Sequence, residues 1–400
     1  MGFLEDVTKQ STSVIRTTLS DDTSIHVLNR KFCVVSLIIL ALLVCAKQYV
    51  GEPIQCWCPA EFAKFHVSYA NSYCWIKNTY GVPFDEILPV EDDERQDTEI
   101  MYYQWVPLIF VLMAFLFYCP KIFWKGFYPK SGINIKKTLN LASDATYLGP
   151  EKRAERMIDI ASYIDKWIEI RDGRSSAYQR IQALKESMGH RGIHFGNYLT
   201  LIYLITCGLY TANTIGQLFL VDALMGNDFL NLGPDFVKGV STNQKWEDLR
   251  RFPRVTFCDF NIRQLQNVQR WTVQCSLPIN LFNEKMFIIL WFLLVIMSIV
   301  NIVNFVYNFA MLFFPRRKNE YIRKYIDDEQ LAPELRHSSR LSDVQVKFVD
   351  KYLRQDGVFL IWLISHNTSP VVASEIVAKL WKDYCDKPHV KTFLSLDSET

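Results

Sequence analysis

The sequence has none of the short patterns that mark the common enzyme classes. Its 400 residues contain no P-loop, no dinucleotide-binding glycine pattern, no HExxH motif and no nucleophile elbow. The 44 lysines and arginines nearly balance the 42 aspartates and glutamates, so the net charge of +2 gives the whole molecule no attraction to nucleic acid. We therefore predict no enzymatic activity, no cofactor and no nucleic-acid partner.

A cleavable signal sequence is also lacking. The first apolar run begins only at Phe32 and has no small-residue cleavage site after it. Asp6 stands where N-myristoylation requires Ser or Thr. We expect the first run to be retained as a transmembrane helix.

What the chain does have is four long stretches without a charged residue, at 32–46, 100–120, 193–221 and 286–315. About 20 apolar residues cross a bilayer, and a soluble protein seldom holds four such runs. The first run is short, but it reaches Val50 if Lys47 extends its ammonium group to the interface. The alternative, four buried core helices, is less favoured. The sequence thus predicts an all-α membrane protein with four transmembrane helices per subunit, at most short strands in the outer loops between them, and a helical cytoplasmic dome.

These runs and the charged segments between them divide the chain into nine parts. In order, we predict a cytoplasmic N-terminal helix or pore funnel (1–31), transmembrane helix 1 (32–50), extracellular loop 1 (51–101), transmembrane helix 2 (102–123), a cytoplasmic helical loop (124–194), transmembrane helix 3 (195–221), extracellular loop 2 (222–285), transmembrane helix 4 (286–314) and a cytoplasmic helical domain (315–400).

The distribution of basic residues orients these parts. Residues 51–101 contain three basic and ten acidic residues, whereas 121–192 contain fourteen basic and eight acidic ones. Because lysine and arginine collect in cytoplasmic loops, both termini and the middle loop are predicted to be cytoplasmic. Residues 222–285 contain eight basic residues, more than this rule predicts for an outer loop. The segment is about 60 residues long, and the rule weakens for loops of that length.

A dense acidic segment lies directly before the second run. Six of the nine residues at 91–99 are acidic, and Tyr102, Tyr103 and Trp105 follow them. Tyrosine and tryptophan favour the membrane interface, so these rings mark the outer end of the second helix. The carboxylates are either an ordinary solvated loop or the source of a cation-attracting field near a pore mouth.

Five of the ten cysteines fall in the predicted outer loops, at Cys56, Cys58, Cys74, Cys258 and Cys275. The outside of a cell is oxidising, so disulfides are expected there. Five thiols cannot all pair, and either Cys56 or Cys58 is the spare one. No matching His/Cys pair completes a zinc site with Cys56 and Cys58, so no metal is predicted.

Polar side chains follow one face of the third and fourth runs. They are Thr200, Tyr203, Cys207, Tyr210, Thr214 and Gln217 in the third, and Ser298, Asn301, Asn304 and Asn308 in the fourth. In hydrocarbon such a stripe must meet another helix or water. Hydrogen bonds between helices are the favoured interpretation, and a pore-lining face is the alternative.

The segment Tyr102–Pro107 (Tyr102, Tyr103, Gln104, Trp105, Val106, Pro107) resembles the signature of the innexins, the gap-junction proteins of invertebrates. Other segments resemble further parts of the same family, in the expected order: GEPIQCW (51–57), YCWIKNTY (73–80), GNYLTLIYLITCGLYTANTIGQLFL (196–220), FPRVTFCDF (252–260) and KYLRQDGVFLIWLISHN (351–367). The resemblance covers nearly the whole chain.

The resemblance implies which cysteines pair. The family has two cysteines in each outer loop, and those positions match Cys56, Cys74, Cys258 and Cys275. Disulfides would then join loop 1 to loop 2 within a subunit. Cys58 departs from the pattern and would be the spare thiol.

The resemblance also implies the assembly. Eight subunits would surround one wide pore as a hemichannel in the lipid membrane, and two hemichannels of the same or a related innexin would dock between adjacent cells. Met1, Gly2, Phe3 and Leu4 would lie near the constriction, and Lys47 and Glu52 would face the outer pore. Pro107 would be either a gating hinge or a tolerated proline.

Three other functions compete with a docked channel. An undocked, pannexin-like hemichannel would release small metabolites, but neither outer loop carries a glycosylation sequon that would hinder docking. A four-span adhesion or scaffold protein would have no pore. A membrane enzyme would need a cluster of His, Asp or Glu within the runs, and the runs have none.

Overall fold

We analysed a computed structural model, which describes residues 23–82, 88–89, 91–146, 148–171, 196–226, 228–242, 248–326, 341–388 and 390. The N-terminal residues predicted to narrow the pore, Met1, Gly2, Phe3 and Leu4, lie outside the described residues.

Helices form most of the described structure, and the only sheet in it is small. The helices in chain order are α1 (Ser24–Tyr49), α2 (Lys64–Lys77), α3 (Asp92–Asp97), α4 (Val106–Phe127), α5 (Ile135–Thr146), α6 (Pro150–Arg171), α7 (Tyr198–Leu224), α8 (Phe229–Ser241), α9 (Pro278–Phe313), α10 (Pro315–Arg323), α11 (Leu341–Lys347), α12 (Arg354–Asn367) and α13 (Pro370–Cys385).

Four of these helices, α1, α4, α7 and α9, are long and apolar enough to cross a membrane. In the most apolar 18-residue stretch of each of these helices, only 33% to 44% of the residues are buried within the subunit. A core helix of a soluble protein would hide most of its apolar side chains, but Leu42 in α1 is 63% exposed. The structure therefore supports membrane helices over the alternative of buried core helices.

The helices extend beyond the charge-free runs that predicted them. α1 begins at Ser24 and passes through a π-helical segment, Leu28–Cys33, which includes Arg30 and Lys31. α9 begins at Pro278, a favoured first residue because its missing N–H has no partner in a first turn. A helix continues as long as its backbone N–H and C=O groups form hydrogen bonds, so it can include charged residues at its ends. A charge-free run marks only the apolar part of the helix.

The chain forms two compact units. The first comprises the described residues of Met1–Val27, Pro120–Leu209 and Ile302–Thr400. Its core is formed by α5, α6, α12 and α13 together with the π-helical segment Phe348–Leu353. Residues 357–364 of α12 are all buried, as expected for a helix surrounded by others.

The second unit comprises the described residues of Leu28–Cys119 and Tyr210–Asn301. It contains an antiparallel five-stranded sheet with strand order β1-β5-β4-β2-β3. The strands are β1 (Gln55–Trp57), β2 (Thr79–Tyr80), β3 (Glu99–Ile100), β4 (Val255–Gln264) and β5 (Asn267–Ser276). β1, β2 and β3 come from the predicted loop 1, and the hairpin strands β4 and β5 between them come from loop 2, so the two segments build one structure.

Candidate functional site

The β4–β5 hairpin organises the segments between the membrane helices. Its strands pair from Val255 opposite Ser276 to Gln264 opposite Asn267. Side chains alternate along β4, and Thr256, Cys258 and Phe260 face the interior. This alternation places cysteines on the inner face of the sheet, where they can reach loop 1.

Two disulfides join loop 1 to loop 2. Cys56 on β1 bonds Cys275 directly opposite it on β5, and Cys74 on α2 bonds Cys258 on β4. The prediction that disulfides connect the loops is confirmed. The sulfur atoms of Cys56, Cys74 and Cys275 lie within 4.8 Å of one another, but all three are in disulfides and offer no thiolate to a metal.

Cys58 is the unpaired thiol of the outer loops, as the resemblance implied. It is partly buried, and its Sγ donates to the carbonyl of Cys56 at 3.8 Å. Burial raises the pKa of this thiol, so little thiolate forms at neutral pH. The thiol therefore persists beside a disulfide without readily attacking it.

Asp259 on β4 ties the two loops together by charge. Its carboxylate accepts hydrogen bonds from Arg95 at 2.6 Å, Arg270 at 3.0 Å, Thr272 at 2.6 Å and Tyr80 at 3.3 Å. Burial alone would raise the pKa of Asp259, but the hydrogen bonds from Thr272, Arg95 and Arg270 hold it below its ordinary value. One ionised carboxylate thus links loop 1 to both strands of the hairpin.

A second ionic cluster braces loop 2. Arg251 contacts Asp228 at 3.1 Å, Asp235 at 2.7 Å and Asp248 at 2.6 Å. The hydrogen bond from Arg251 is the main cause that lowers the pKa of Asp228. The cluster connects both ends of the segment that contains α8.

The signature Tyr102–Pro107 joins the end of loop 1 to its surroundings. The Tyr102 hydroxyl donates to the carbonyl of Arg251 at 2.9 Å, and Gln104 donates to the carbonyl of Trp75 and, at 3.2 Å, to Asn78. Tyr103 is fully buried with its ring centroid 4.9 Å from that of Trp75. These residues fix loop 1 and loop 2 against the start of α4.

Val106 and Pro107 are the first two residues of α4, and Trp105 directly precedes them. Trp105 is 59% exposed, as expected for an interfacial ring, while Val106 is buried. Pro107 is the second residue of the helix, where a missing N–H breaks no helical hydrogen bond. Pro107 therefore gives no structural reason for a hinge. The proline that lies inside the helix is Pro120.

The remaining predicted channel residues lie at the end of α1 and in loop 1. Lys47 is in the last turn of α1 and partly buried, and Glu52 is exposed and accepts a hydrogen bond from Gln55. Whether they face a pore stays a prediction. In the acidic segment, Glu91, Asp93 and Glu94 are exposed.

The polar stripes of α7 and α9 are buried within the subunit. Asn301 on α9 forms a reciprocal pair of amide hydrogen bonds with Asn29 on α1, at 2.7 and 2.9 Å, and donates to Thr214 on α7 at 2.7 Å. Gln217 donates to the carbonyl of Met113 on α4 at 3.1 Å. These contacts support the interpretation that the stripes hold helices together.

Sequence reasoning missed Asp356 and Asp259. Asp356 on α12 is 2% exposed and accepts hydrogen bonds from the Thr200 N–H at 2.9 Å and the Thr200 hydroxyl at 3.0 Å, which caps the first turn of α7. An aspartate in an apolar stretch (RQDGVFLIW) was the available signal, but its partner is far away in sequence.

The fold and this site define a membrane protein with four membrane-spanning helices, whose outer segments are joined by disulfides. A sequence profile of the innexins matches residues 21–384. Innexin unc-9 of Caenorhabditis elegans is 35% identical over 373 residues, which cover 93% of this chain and 94% of that protein. Innexin-19 of Caenorhabditis briggsae is 31% identical over 386 residues, with 92% and 87% covered, and innexin eat-5 of Caenorhabditis elegans is 31% identical over 381 residues, with 92% and 88% covered.

The chain therefore belongs to the innexin family. It is a gap-junction channel subunit of the plasma membrane, and the undocked hemichannel is not favoured over this function.

Proposed function

We propose that eight copies of this chain surround one pore, and that two such rings in apposed membranes dock through residues 51–101 and 222–285. The observation that carries the proposal is the single sheet that the two segments form, closed by the disulfides Cys56–Cys275 and Cys74–Cys258. Surfaces that meet across a gap bind best when they are rigid beforehand, because less conformational entropy is lost on contact.

The orientation that docking requires is supported by the chemistry of the loops. Disulfides persist in the oxidising exterior, and both bonds lie in these two segments. The basic residues Lys121, Lys125 and Lys130 collect at the other end of α4, as expected on the cytoplasmic side. Both termini would then be cytoplasmic.

The pore would conduct hydrated ions and small metabolites without a catalytic residue, because selectivity in a wide pore follows from its width and wall charge. We assign Lys47 and Glu52 to its outer wall and the N-terminal residues Met1, Gly2, Phe3 and Leu4 to its constriction. A charged thiol reagent should change the conductance of a Glu52→Cys channel. Leu42→Cys, at an exposed apolar position of α1, is the control that should not respond.

Coupling between paired cells tests the proposal directly. Cells that each express the chain should exchange a small fluorescent dye and pass junctional current. Dye uptake by single cells without exchange between pairs would favour an undocked hemichannel. Neither uptake nor exchange, with the protein present at the surface, would favour a scaffold without a pore.

A further inference from the structure

The tip of the β4–β5 hairpin projects beyond the rest of its sheet. β1 pairs with β5 only over Gln274 to Ser276, and β2 pairs with β4 at Phe257. In the part of the chain that the structure describes, the ladder from Asn261 to Arg270 pairs only with itself. Residues 265–270 are all exposed, so this tip has little core of its own.

Leu265 occupies the turn of this hairpin at a cost to the single subunit. Its φ is 55°, a conformation that favours glycine or asparagine, and its side chain is 99% exposed. Val268, the second residue of β5, is 56% exposed. An apolar side chain that is both exposed and poorly suited to its backbone position stabilises nothing within the subunit.

The charges on the hairpin tip are basic: Arg270 pairs with Asp259, whereas Arg263 has no such partner in the described part of the chain. No acidic residue lies between Asp259 and Glu284, and Arg263 is exposed. The acidic residues Glu91, Asp93 and Glu94 in loop 1 are exposed as well. Among the described residues, none of these four side chains is within ion-pair distance of an opposite charge. The same unit thus offers a basic tip and an acidic segment that leave each other unpaired.

We propose that the hairpin tip, residues 263–268, docks against the acidic segment 91–94 of a second copy of this chain in the apposed membrane. The inference rests on the proposed docking of two rings and names the surfaces that meet. A two-fold axis between apposed subunits makes the contact occur twice, because each copy contributes one tip and one acidic segment. Arg263 supplies the electrostatic match, and Leu265 leaves water on docking.

Charge reversal in paired cells tests the electrostatic match. Cells expressing Arg263→Glu, paired with themselves, should lose at least about ten-fold in junctional conductance, because like charges then face each other. The triple variant Glu91→Lys, Asp93→Lys, Glu94→Lys should lose as much when paired with itself. One variant paired with the other should regain most of the conductance, because every contact again joins opposite charges.

The matched control is Lys152→Glu, the same charge change at an exposed residue of α6, outside both of the segments proposed to dock. It should leave coupling unchanged. If the mixed pair of charge variants couples no better than either variant alone, the inference is overturned. If wild-type pairs do not couple at all, the proposed docking itself fails, and the two failures are thereby distinguished.

Replacement of the apolar tip is the second arm. Leu265→Gly suits a positive φ, so the hairpin should fold at least as well and dye uptake by single cells should be unchanged. Junctional conductance should fall several-fold, because the apolar contact is lost. Unchanged conductance, or a loss of uptake that shows a contact within one ring, would contradict the inference.

Discussion

At the scale of the residue, Asp356 is an acidic side chain within a helical core, where such residues are rare. It caps α7 through Thr200 while it is almost fully buried. Replacement by alanine leaves the Thr200 N–H and hydroxyl without this acceptor and should cost about 1–2 kcal/mol. The melting temperature of purified protein in detergent measures the loss. Asparagine keeps an acceptor oxygen and should lose less.

The pH dependence of the same site has a definite sign. Burial raises the pKa of Asp356 above its ordinary 3.8, because the ionised form is desolvated. A raised folded pKa gives stability that is complete below the ordinary value and is lost as pH rises through the folded value. Wild-type protein should therefore lose melting temperature relative to Asp356→Asn as the pH rises from 3.8 toward neutral. A difference that is constant over this range would contradict the assignment.

Asp259 should show the opposite pH dependence. Its pKa is lowered, so its contribution is present above the ordinary 3.8 and is lost as pH falls. Asp259→Asn should cost about 2–3 kcal/mol near neutral pH, mostly through the pair with Arg95, in which the Arg95 and Asp259 side chains are 16% and 11% exposed. The melting temperatures of wild type and variant should converge as the pH falls below 3.8. Asp159→Asn, at an exposed position, is the control that should show no such trend.

Residues whose role is local could be predicted from the sequence, and residues whose role depends on distant partners could not. The spare thiol Cys58 and the buried polar stripes followed from spacing, compartment and resemblance. Asp259 has Arg95 as a partner across 164 positions, and Asp356 has Thr200 across 156. No short-range pattern encodes such pairs, so the ionic core of the site appears only once the chain is folded.

At the scale of the element, the two prolines of α4 should differ. Pro107 is in the first turn, whereas Pro120 is inside the helix and removes the hydrogen bond to residue 116. Pro107→Ala should leave melting temperature and gating unchanged. Pro120→Ala should straighten the helix and shift the voltage or time dependence of the channel. A gating change in Pro107→Ala alone would restore the hinge hypothesis at that residue.

The disulfide-linked sheet should be required for docking. Cys74→Ser with Cys258→Ser removes one connection between α2 and β4 and should abolish junctional coupling between paired cells. Cys58→Ser is the matched control, since that thiol is unpaired, and should retain coupling. Normal coupling in the double variant, with the protein at the surface, would show that the sheet is stiff enough without this bond.

At the scale of the whole molecule, the four membrane helices and their order followed from charge-free runs alone. Short strands in the outer loops were allowed for, but their pairing into one sheet was not predicted, because the two- and three-residue strands from loop 1 carry no periodicity that could be detected. The ends of the helices were also missed, since charged residues continue a helix past its apolar part. The charge-free runs therefore predict the membrane helices, whereas the sheet and the exact helix ends depend on tertiary contacts.

Subunit number is the prediction that belongs to the assembly. Native mass spectrometry of purified hemichannels, or a view along the ring axis by electron microscopy, should give eight copies around a solvent-filled path. Another number would contradict the octamer while leaving the membership of the family intact. A monomer in mild detergent that does not close into a ring would contradict the channel wall proposed here.

The strand order β1-β5-β4-β2-β3 has a consequence for biosynthesis. The strands of the first outer segment flank a hairpin that the ribosome makes only after α7 has been inserted. Until then, β1 and β2 lie in the endoplasmic reticulum lumen without the strands β5 and β4 that pair with them. The thiols of Cys56 and Cys74 likewise lack Cys275 and Cys258. Folding of the outer part is thus a late, post-insertion event. A nascent chain stopped before residue 255 should expose both thiols to alkylation and recruit lumenal oxidoreductases.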